Sequence, residues 1–158
     1  THDKMIRCNS PEPLADLQRL QQAFQRPPGG LLKLIGRRHV RDNNSWMHNY
    51  RRLVKGRSRC TLLMHPDDML HRDIEDGTLV TLSSRAGSVQ VPVEASEAIM
   101  PGVVSLPHGY GHGRPGVRMA IASDHAGVSC NDVTDELALD ELSGNALLNG
   151  VPVTVVAS

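Results

Sequence analysis

The first part of the chain carries a helical spacing of apolar residues. They recur there at steps of three or four positions, at Leu14, Leu17, Leu20 and Phe24. This spacing predicts a helix over residues 10–25, with Ser10 able to cap it and Pro11 at its first position. The run Pro-Pro-Gly-Gly at 27–30 ends the pattern and is typical of a linker. We therefore expect residues 1–30 to form an appended helix and linker.

From residue 31 onward, short apolar runs alternate with Gly and Pro turns, a pattern that predicts strands. The clearest signal is a hairpin, because residues 88–94 alternate in polarity after a short turn at Gly87. The other strand candidates are residues 31–35, 60–64, 78–84, 103–106 and 151–156, with one helical turn over 66–71. Pro92 and Pro152 inside strand candidates indicate sheet edges or bulges. Five or six short strands favour a closed β-barrel over residues 31–158.

Composition agrees with one globular domain. The chain has 158 residues, of which 39% are hydrophobic and 22% charged. Only 3% are aromatic, so the core must be aliphatic. Lys plus Arg and Asp plus Glu both total 17, which argues against a whole-protein field for nucleic acid or anionic lipid. No apolar run approaches the roughly 20 residues of a membrane span.

The cysteines and the start of the chain indicate a compartment. Three widely spaced cysteines, Cys8, Cys60 and Cys130, argue against a disulfide scaffold or a zinc knuckle. A reducing, cytoplasmic location fits them best. The start Thr-His-Asp-Lys-Met resembles no signal peptide, and the missing initiator Met suggests a processed chain or an excised piece.

Charge is unevenly spread along the chain. Nine Lys and Arg residues lie between 33 and 59 against Asp42 alone, whereas residues 132–141 carry five acids and no base. Two solvated faces would explain this pattern. A local anion site near the first strand is the sharper hypothesis.

The densest polar cluster follows that strand, over residues 36–49. Gly36 lets the backbone approach a ligand closely, and Arg37 or Arg38 can fork onto a phosphate. Amide and hydroxyl groups suited to the edge of a pterin or guanine are supplied by Asn43, Asn44, Ser45 and Asn49. The alternative is an Asx-turn with a helix cap at Asn44 or Ser45.

Two further clusters follow later strands. The glycine-rich loop at 107–114 contains His108, Gly109 and His112; its histidine spacing resembles a metal site, but a loop lining a ligand fits its glycines better. In the segment 127–136, Asn131 and Asp132 could accept from pterin NH groups. The alternative there is a capped turn, with Thr134 starting an acidic helix through Leu142.

These pieces, in this order, resemble the C-terminal molybdopterin dinucleotide-binding domain of the dimethyl sulfoxide reductase superfamily. The pieces are Ile35-Gly36-Arg37 with Asn44-Ser45 and His48-Asn49; Met64-His65-Pro66-Asp67-Asp68 with Ile74-Glu75-Asp76-Gly77; Met100-Pro101-Gly102-Val103-Val104 with His108-Gly109; and Ser129-Cys130-Asn131-Asp132-Val133-Thr134. The tail, residues 142–153, is similar to members related to formate dehydrogenases and nitrate reductases. The resemblance covers about residues 31–158.

The resemblance implies a mainly β, double-psi barrel of about six strands that holds molybdopterin guanine dinucleotide. The cofactor-binding residues it implies are Gly36, Arg37, Asn43, Asn44, Ser45, His48, Asn49, His108, Gly109, Asn131 and Asp132. Ser129 stands where the family often has Asn, which leaves Asn131 as the stronger candidate. The implied molybdenum or tungsten takes its protein ligand from another domain, so we expect no catalytic or metal-ligating residue here. The expected partners are the remaining domains of that oxidoreductase, and the isolated chain should be inactive.

Three other classes of function fit the sequence less well. An RNA-binding barrel could use the basic stretch, but only Trp46 and Tyr50 supply aromatics there and the net charge is zero. A protein-interaction barrel would leave the polar loops without a ligand. A stand-alone hydrolase lacks a G-x-S-x-G elbow.

Overall fold

The computed structural model describes residues 2–5, 10–25 and 29–158. Cys8 and the prolines of the predicted linker, Pro27 and Pro28, lie outside these ranges. Helix α1 spans Pro11–Gln25, as the apolar spacing predicts, and none of its residues is buried. The Nε atom of Arg19 in this helix lies 3.5 Å from Oε2 of Glu141. Glu141 belongs to the segment that precedes the last strand. Division of the chain at residue 30 into appendage and barrel stays a prediction.

Six strands and three short helices make up the rest. The strands are β1 (Leu32–Arg37), β2 (Leu62–Met64), β3 (Leu79–Ser83), β4 (Ser88–Ala95), β5 (Val103–Pro107) and β6 (Val151–Ala157). The helices are α2 (Arg51–Val54), α3 (Pro66–Leu70) and α4 (Ala120–Ser123), with a 3-10 turn at Cys130–Asp132. Within the described ranges, no helix is long and apolar enough to cross a bilayer.

The strands close into a barrel in the order β1-β5-β2-β4-β3-β6. β1 runs parallel to β5 and β2 parallel to β4, while the other neighbours are antiparallel. The predicted six-stranded barrel is therefore confirmed, and the predicted hairpin is β3–β4. The double-psi crossing of the strands stays a prediction.

The barrel interior is aliphatic, as the low aromatic content requires. Alternate strand residues point inward, so Val89, Val91 and Val93 of β4 are all buried. The residues with no exposed surface are Leu62, Met64, Val80, Leu82, Val104, Leu106, Ala122 and Val133. A core of this kind gives the strand ends a rigid frame, because close packing holds each strand in register.

The two strand prolines do not mark a sheet edge, because the closed barrel has none. Pro92 pairs with Leu79 of β3, and the register with β2 begins one residue later, at Val93. Pro152 pairs with Lys33 of β1, ahead of the register with β3. Each proline thus has a registered partner on one side only, which suits a residue without an N–H group.

The acidic helix proposed from Thr134 to Leu142 does not form. The segment consists of turns joined by one isolated bridge, Leu139 to Ala146. Asp140 accepts hydrogen bonds from the backbone N and the hydroxyl of Ser143, an alternative that short acidic side chains offer to helical bonding. Arg85, in the β3–β4 turn, pairs with Asp135 at 2.6 Å and lowers its pKa to about 2.

Candidate functional site

The candidate site lies where β1 and β5 end. Because the two strands are parallel, their carboxyl ends reach the same rim of the barrel. Gly36 pairs with Leu106 and Arg37 with Pro107, so the loops that follow leave the rim side by side. We call them rim loop 1, residues 38–50, and rim loop 2, residues 108–119. They are the first two polar clusters of the sequence.

A cavity of about 130 Å³ opens at this rim. Its lining residues are Leu34, Ile35, Gly36, Arg38, Leu106, His108, Cys130, Asn131, Thr134, Leu148 and Asn149. Leu34, Ile35 and Leu106 give it an apolar floor on the barrel, whereas the other elements supply polar walls. All three sequence clusters and the segment before β6 therefore meet at one place.

Two asparagine side chains in the wall keep their donors free. Asn149 Oδ1 accepts a 2.8 Å hydrogen bond from the backbone N of Gly36. Asn131 sits on the 3-10 turn, which the Ser129 hydroxyl caps by accepting from the Asn131 backbone N at 3.3 Å. Neither Asn149 Nδ2 nor Asn131 Nδ2 bonds to any residue the structure describes. Both amides can therefore donate to a ligand.

The adjacent arginines have different surroundings. Arg37 donates to the backbone carbonyls of Ser105 and Thr61 and to the Thr61 hydroxyl, inside the barrel wall. Burial lowers the pKa of its guanidinium. Arg38 is exposed, lines the cavity, and uses Nη1 to donate to Asn44 Oδ1 at 2.7 Å. Arg38 therefore has donors left for an anionic ligand, whereas the Arg37 head group bonds mainly to the protein.

The two rim loops are in close backbone contact at Gly109. Its φ is +96°, and a Cβ there would overlap the carbonyl oxygen of Asn44 and lie 2.6 Å from the carbonyl carbon. Asn43 and Asn44 also have positive φ, 42° and 63°, so rim loop 1 turns sharply where it meets rim loop 2. Only a residue without a side chain fits this contact.

Beneath the loops lies a buried polar network. His48, only 2% exposed, places Nδ1 2.8 Å from Nε2 of His112 and stacks on Tyr110 with ring centroids 4.4 Å apart. Its Nε2 lies 3.4 Å from Asp42 Oδ1, which accepts from Arg59 at 2.6 Å. Burial lowers the pKa of both histidines. His48 does not line the cavity; it joins the two rim loops.

The remaining predicted residues, Ser45, Asn49 and Asp132, do not line the cavity. Asn49 Oδ1 accepts from the backbone N of Ala122, at the third residue of α4. Asp132 pairs with Arg114 of rim loop 2. Ser45 is partly buried, and its backbone carbonyl accepts from the His48 N. These contacts brace the loops, and a direct contact of these residues with a cofactor stays a prediction.

Comparison with known proteins decides the family. The family profile described as molydopterin dinucleotide binding domain matches residues 32–152, more than half of the chain. This chain belongs to that family. The matched range runs from the start of β1 into β6, so it includes the whole rim and the cavity.

Two relatives are larger proteins. The dimethyl sulfoxide/trimethylamine N-oxide reductase of Rhodobacter capsulatus is 38% identical over 56 residues, which is 35% of this chain and 7% of the reductase. The structure of acetylene hydratase from Pelobacter acetylenicus superimposes with a TM-score of 0.61 at 18% identity, covering 90% of this chain and 20% of the hydratase. At 18% sequence identity, this superposition shows that the two proteins share a fold, and it shows nothing about function. The dinucleotide binding domain thus spans a fifth or less of either relative.

The structure adds cavity residues that are not among the cofactor-binding residues implied by the resemblance. They are Arg38, Cys130, Thr134 and Asn149. The Asn-Gly pair at 149–150 indicated a turn before β6. The contact of Asn149 with Gly36 could not be predicted, because the two residues are 113 positions apart in the sequence. Cys130 places its Sγ 3.7 Å from His108 Nδ1, and burial raises the pKa of the thiol. In this dinucleotide binding domain the thiol therefore faces the cavity in its neutral form.

The two histidines of rim loop 2 point to different partners. His112 turns to His48, whereas His108 lies beside Cys130 at the cavity. Over the ranges that the structure describes, no three His, Cys, Asp or Glu residues are grouped to hold a metal. The candidate site of this domain is the rim cavity, which has an apolar floor from β1 and β5 and polar groups from the loops.

Proposed function

We propose that this domain holds molybdopterin guanine dinucleotide in a molybdopterin oxidoreductase. The observation that carries the proposal is the rim cavity, where Gly36, Arg38, His108, Asn131 and Asn149 converge above the parallel pair β1–β5. The carboxyl ends of parallel strands are a common place for nucleotide-like ligands. Family membership supplies the molybdopterin dinucleotide; the guanine form and the redox class are our assignments.

The polar groups of the cavity fit such a cofactor. Pterin and guanine edges present acceptors beside donors, and the free Nδ2 groups of Asn131 and Asn149 can meet them. The unused donors of Arg38 suit a phosphate oxygen. Gly36 leaves room for close approach, because a Cβ there would meet only Asn149 Oδ1, at 3.7 Å. These residues would bind and orient the cofactor.

In this proposal, other domains of the enzyme supply the protein ligand of the metal and the rest of the catalytic site. The bound cofactor supplies electron transfer through its molybdenum or tungsten, and a residue of another domain supplies the protein ligand. The name of the Rhodobacter relative, a reductase, supports the redox class. The small share of each relative that the chain covers supports further catalytic domains as its partners. The free thiols Cys60 and Cys130 support a reducing, cytoplasmic location.

Asn131→Leu is the direct test of the cavity. The change keeps the approximate volume but removes the amide, so we expect cofactor content to fall several-fold in the enzyme that carries this domain. The side chain is exposed on a loop, so unfolding free energy should change by no more than about 1 kcal/mol. Molybdenum or tungsten content and the thermal midpoint are measured on the same preparation.

The matched control is Asn145→Leu, an exposed asparagine that does not line the cavity. It should leave metal content and midpoint unchanged. Full occupancy of the Asn131→Leu enzyme, with a lowered midpoint, would mean that Asn131 serves only the turn at Cys130–Asp132. A wild-type enzyme free of molybdopterin would refute the proposed function itself.

A further inference from the structure

The buried pair His48–His112 is the best-defined polar contact between the two rim loops. His48 belongs to rim loop 1 and His112 to rim loop 2, and their ring nitrogens are 2.8 Å apart. Both rings are at least 92% buried, so this hydrogen bond is shielded from water. The same two loops carry Arg38 and His108, both of which line the cavity.

The neighbouring groups determine which nitrogen donates. Asp42 Oδ1 already accepts from Arg59 and lies 3.4 Å from Nε2 of His48. Nε2 of His48 makes no hydrogen bond to the described residues, but it lies beside the Asp42 carboxylate, which attracts an N–H group, so the proton of neutral His48 belongs on Nε2. Nδ1 of His48 is then the acceptor, and Nε2 of His112 donates to it. The chain of contacts runs from Arg59 through Asp42 and His48 to His112.

We propose that His48 and His112 are positioning residues whose shared hydrogen bond fixes the two rim loops and thereby keeps the cofactor in the cavity. The inference rests on the proposed function. It adds that the cofactor is retained only while the two histidine rings are not both protonated. The bond needs one ring nitrogen without a proton; when both rings are protonated, two N–H groups face each other. The hydrogen bond between His48 and His112 is then lost, the two rim loops separate, and the cofactor dissociates faster.

The direction of the pH effect follows from the surroundings of the pair. Burial lowers the pKa of both rings below the ordinary value of 6.5. A histidine with a lowered folded pKa contributes fully above its ordinary pKa, and that contribution is lost as pH falls. Retention of the cofactor should therefore weaken below about pH 6.5. The charged or titratable groups around the pair are Asp42, Arg57, Arg59, Tyr110 and His125.

The test compares His112→Leu and His112→Gln in the cofactor-loaded enzyme that carries this domain. We measure cofactor dissociation by loss of molybdenum or tungsten on gel filtration at about pH 5.5 and about pH 7.5. His112→Leu lacks the donor, so dissociation should be about tenfold faster at neutral pH, a change of about 1.4 kcal/mol. His112→Gln keeps an N–H donor that does not titrate, so it should match wild type at neutral pH and lose most of the acid response.

His71→Gln is the control, since His71 is an exposed residue at the end of α3 and takes no part in the pair. It should keep the wild-type rate at both pH values. A wild-type pH response in His112→Gln together with a wild-type rate in His112→Leu would overturn the inference and leave the proposed function intact. If His112→Leu does not fold, the pH response of His112→Gln alone decides. Absence of any cofactor from the wild-type enzyme contradicts both proposals.

Discussion

Replacing Gly109 with alanine is expected to separate the rim loops and leave only a small fraction of the cofactor bound. A side chain at φ +96° costs about 1–3 kcal/mol through backbone strain. At this position the added Cβ also overlaps the Asn44 carbonyl oxygen and lies 3.2 Å from the Ser45 backbone N. Backbone atoms cannot move aside as a flexible side chain can, so one loop must shift.

The measurement is unfolding in denaturant together with cofactor content. We expect Gly109→Ala to lower the unfolding free energy by more than about 3 kcal/mol, since the steric overlap adds to the backbone strain. Gly116→Ala is the matched control, because Gly116 has a similar φ of +91° and nothing within 4 Å of its missing Cβ. Equal losses in the two variants would show that the contact with Asn44 is unimportant and that backbone strain explains the whole effect.

Local patterns were enough to predict most helices and strands of the fold. The apolar spacing of α1, the alternation in β4 and the turns before β5 and β6 are all read within a few residues. Because β1 and β5 each end at a polar loop, the sequence also indicated which loops would carry the cavity. That part of the site follows from strand ends alone.

The contacts of each side chain could not be predicted from local sequence patterns. Arg37 and Arg38 are neighbours in the sequence, yet Arg37 reaches the carbonyls of Ser105 and Thr61, which other strands bring to it. The adjacent Arg38 stays at the cavity. Nothing in a window around either residue distinguishes them, because the contacts that do so are between 24 and 68 residues away.

The buried network posed the same difficulty. His48 and Asp42 lie in a segment rich in Asn and Arg, where polar residues are ordinarily exposed. Their burial depends on Arg59 before β2 and on His112 after β5, which meet them only in the closed barrel. The position of this polar loop after β1 follows from the strand end, whereas the inward direction of His48 depends on the fold.

Asp42→Ala should produce the largest loss of stability among the polar positions. Asp42 is 2% exposed and lies between Arg59, at 2.6 Å, and His48, at 3.4 Å. Removing a partner from a fully buried ion pair costs about 3–5 kcal/mol. The Arg59 side chain is 22% exposed, so water partly solvates the remaining charge and we expect a loss at the lower end of that range. Here the Arg59 guanidinium would face the His48 ring, which is the ring that contacts His112 of rim loop 2.

Urea unfolding of Asp42→Ala, Asp42→Asn and Asp16→Ala separates this network from an ordinary ion pair. Asp16 pairs with Arg19 at 2.7 Å on the solvent-exposed helix α1, where water screens the charges, so its loss should be small. Asp42→Asn keeps an oxygen that can accept from Arg59, so it should fall between the two alanine variants. Because Asp42 contacts His48, which joins the two rim loops, Asp42→Ala should also release cofactor, an effect that Asp16→Ala should lack. A loss for Asp42→Ala no greater than that for Asp16→Ala would show that solvent reaches the network and that Asp42 does not hold the loops.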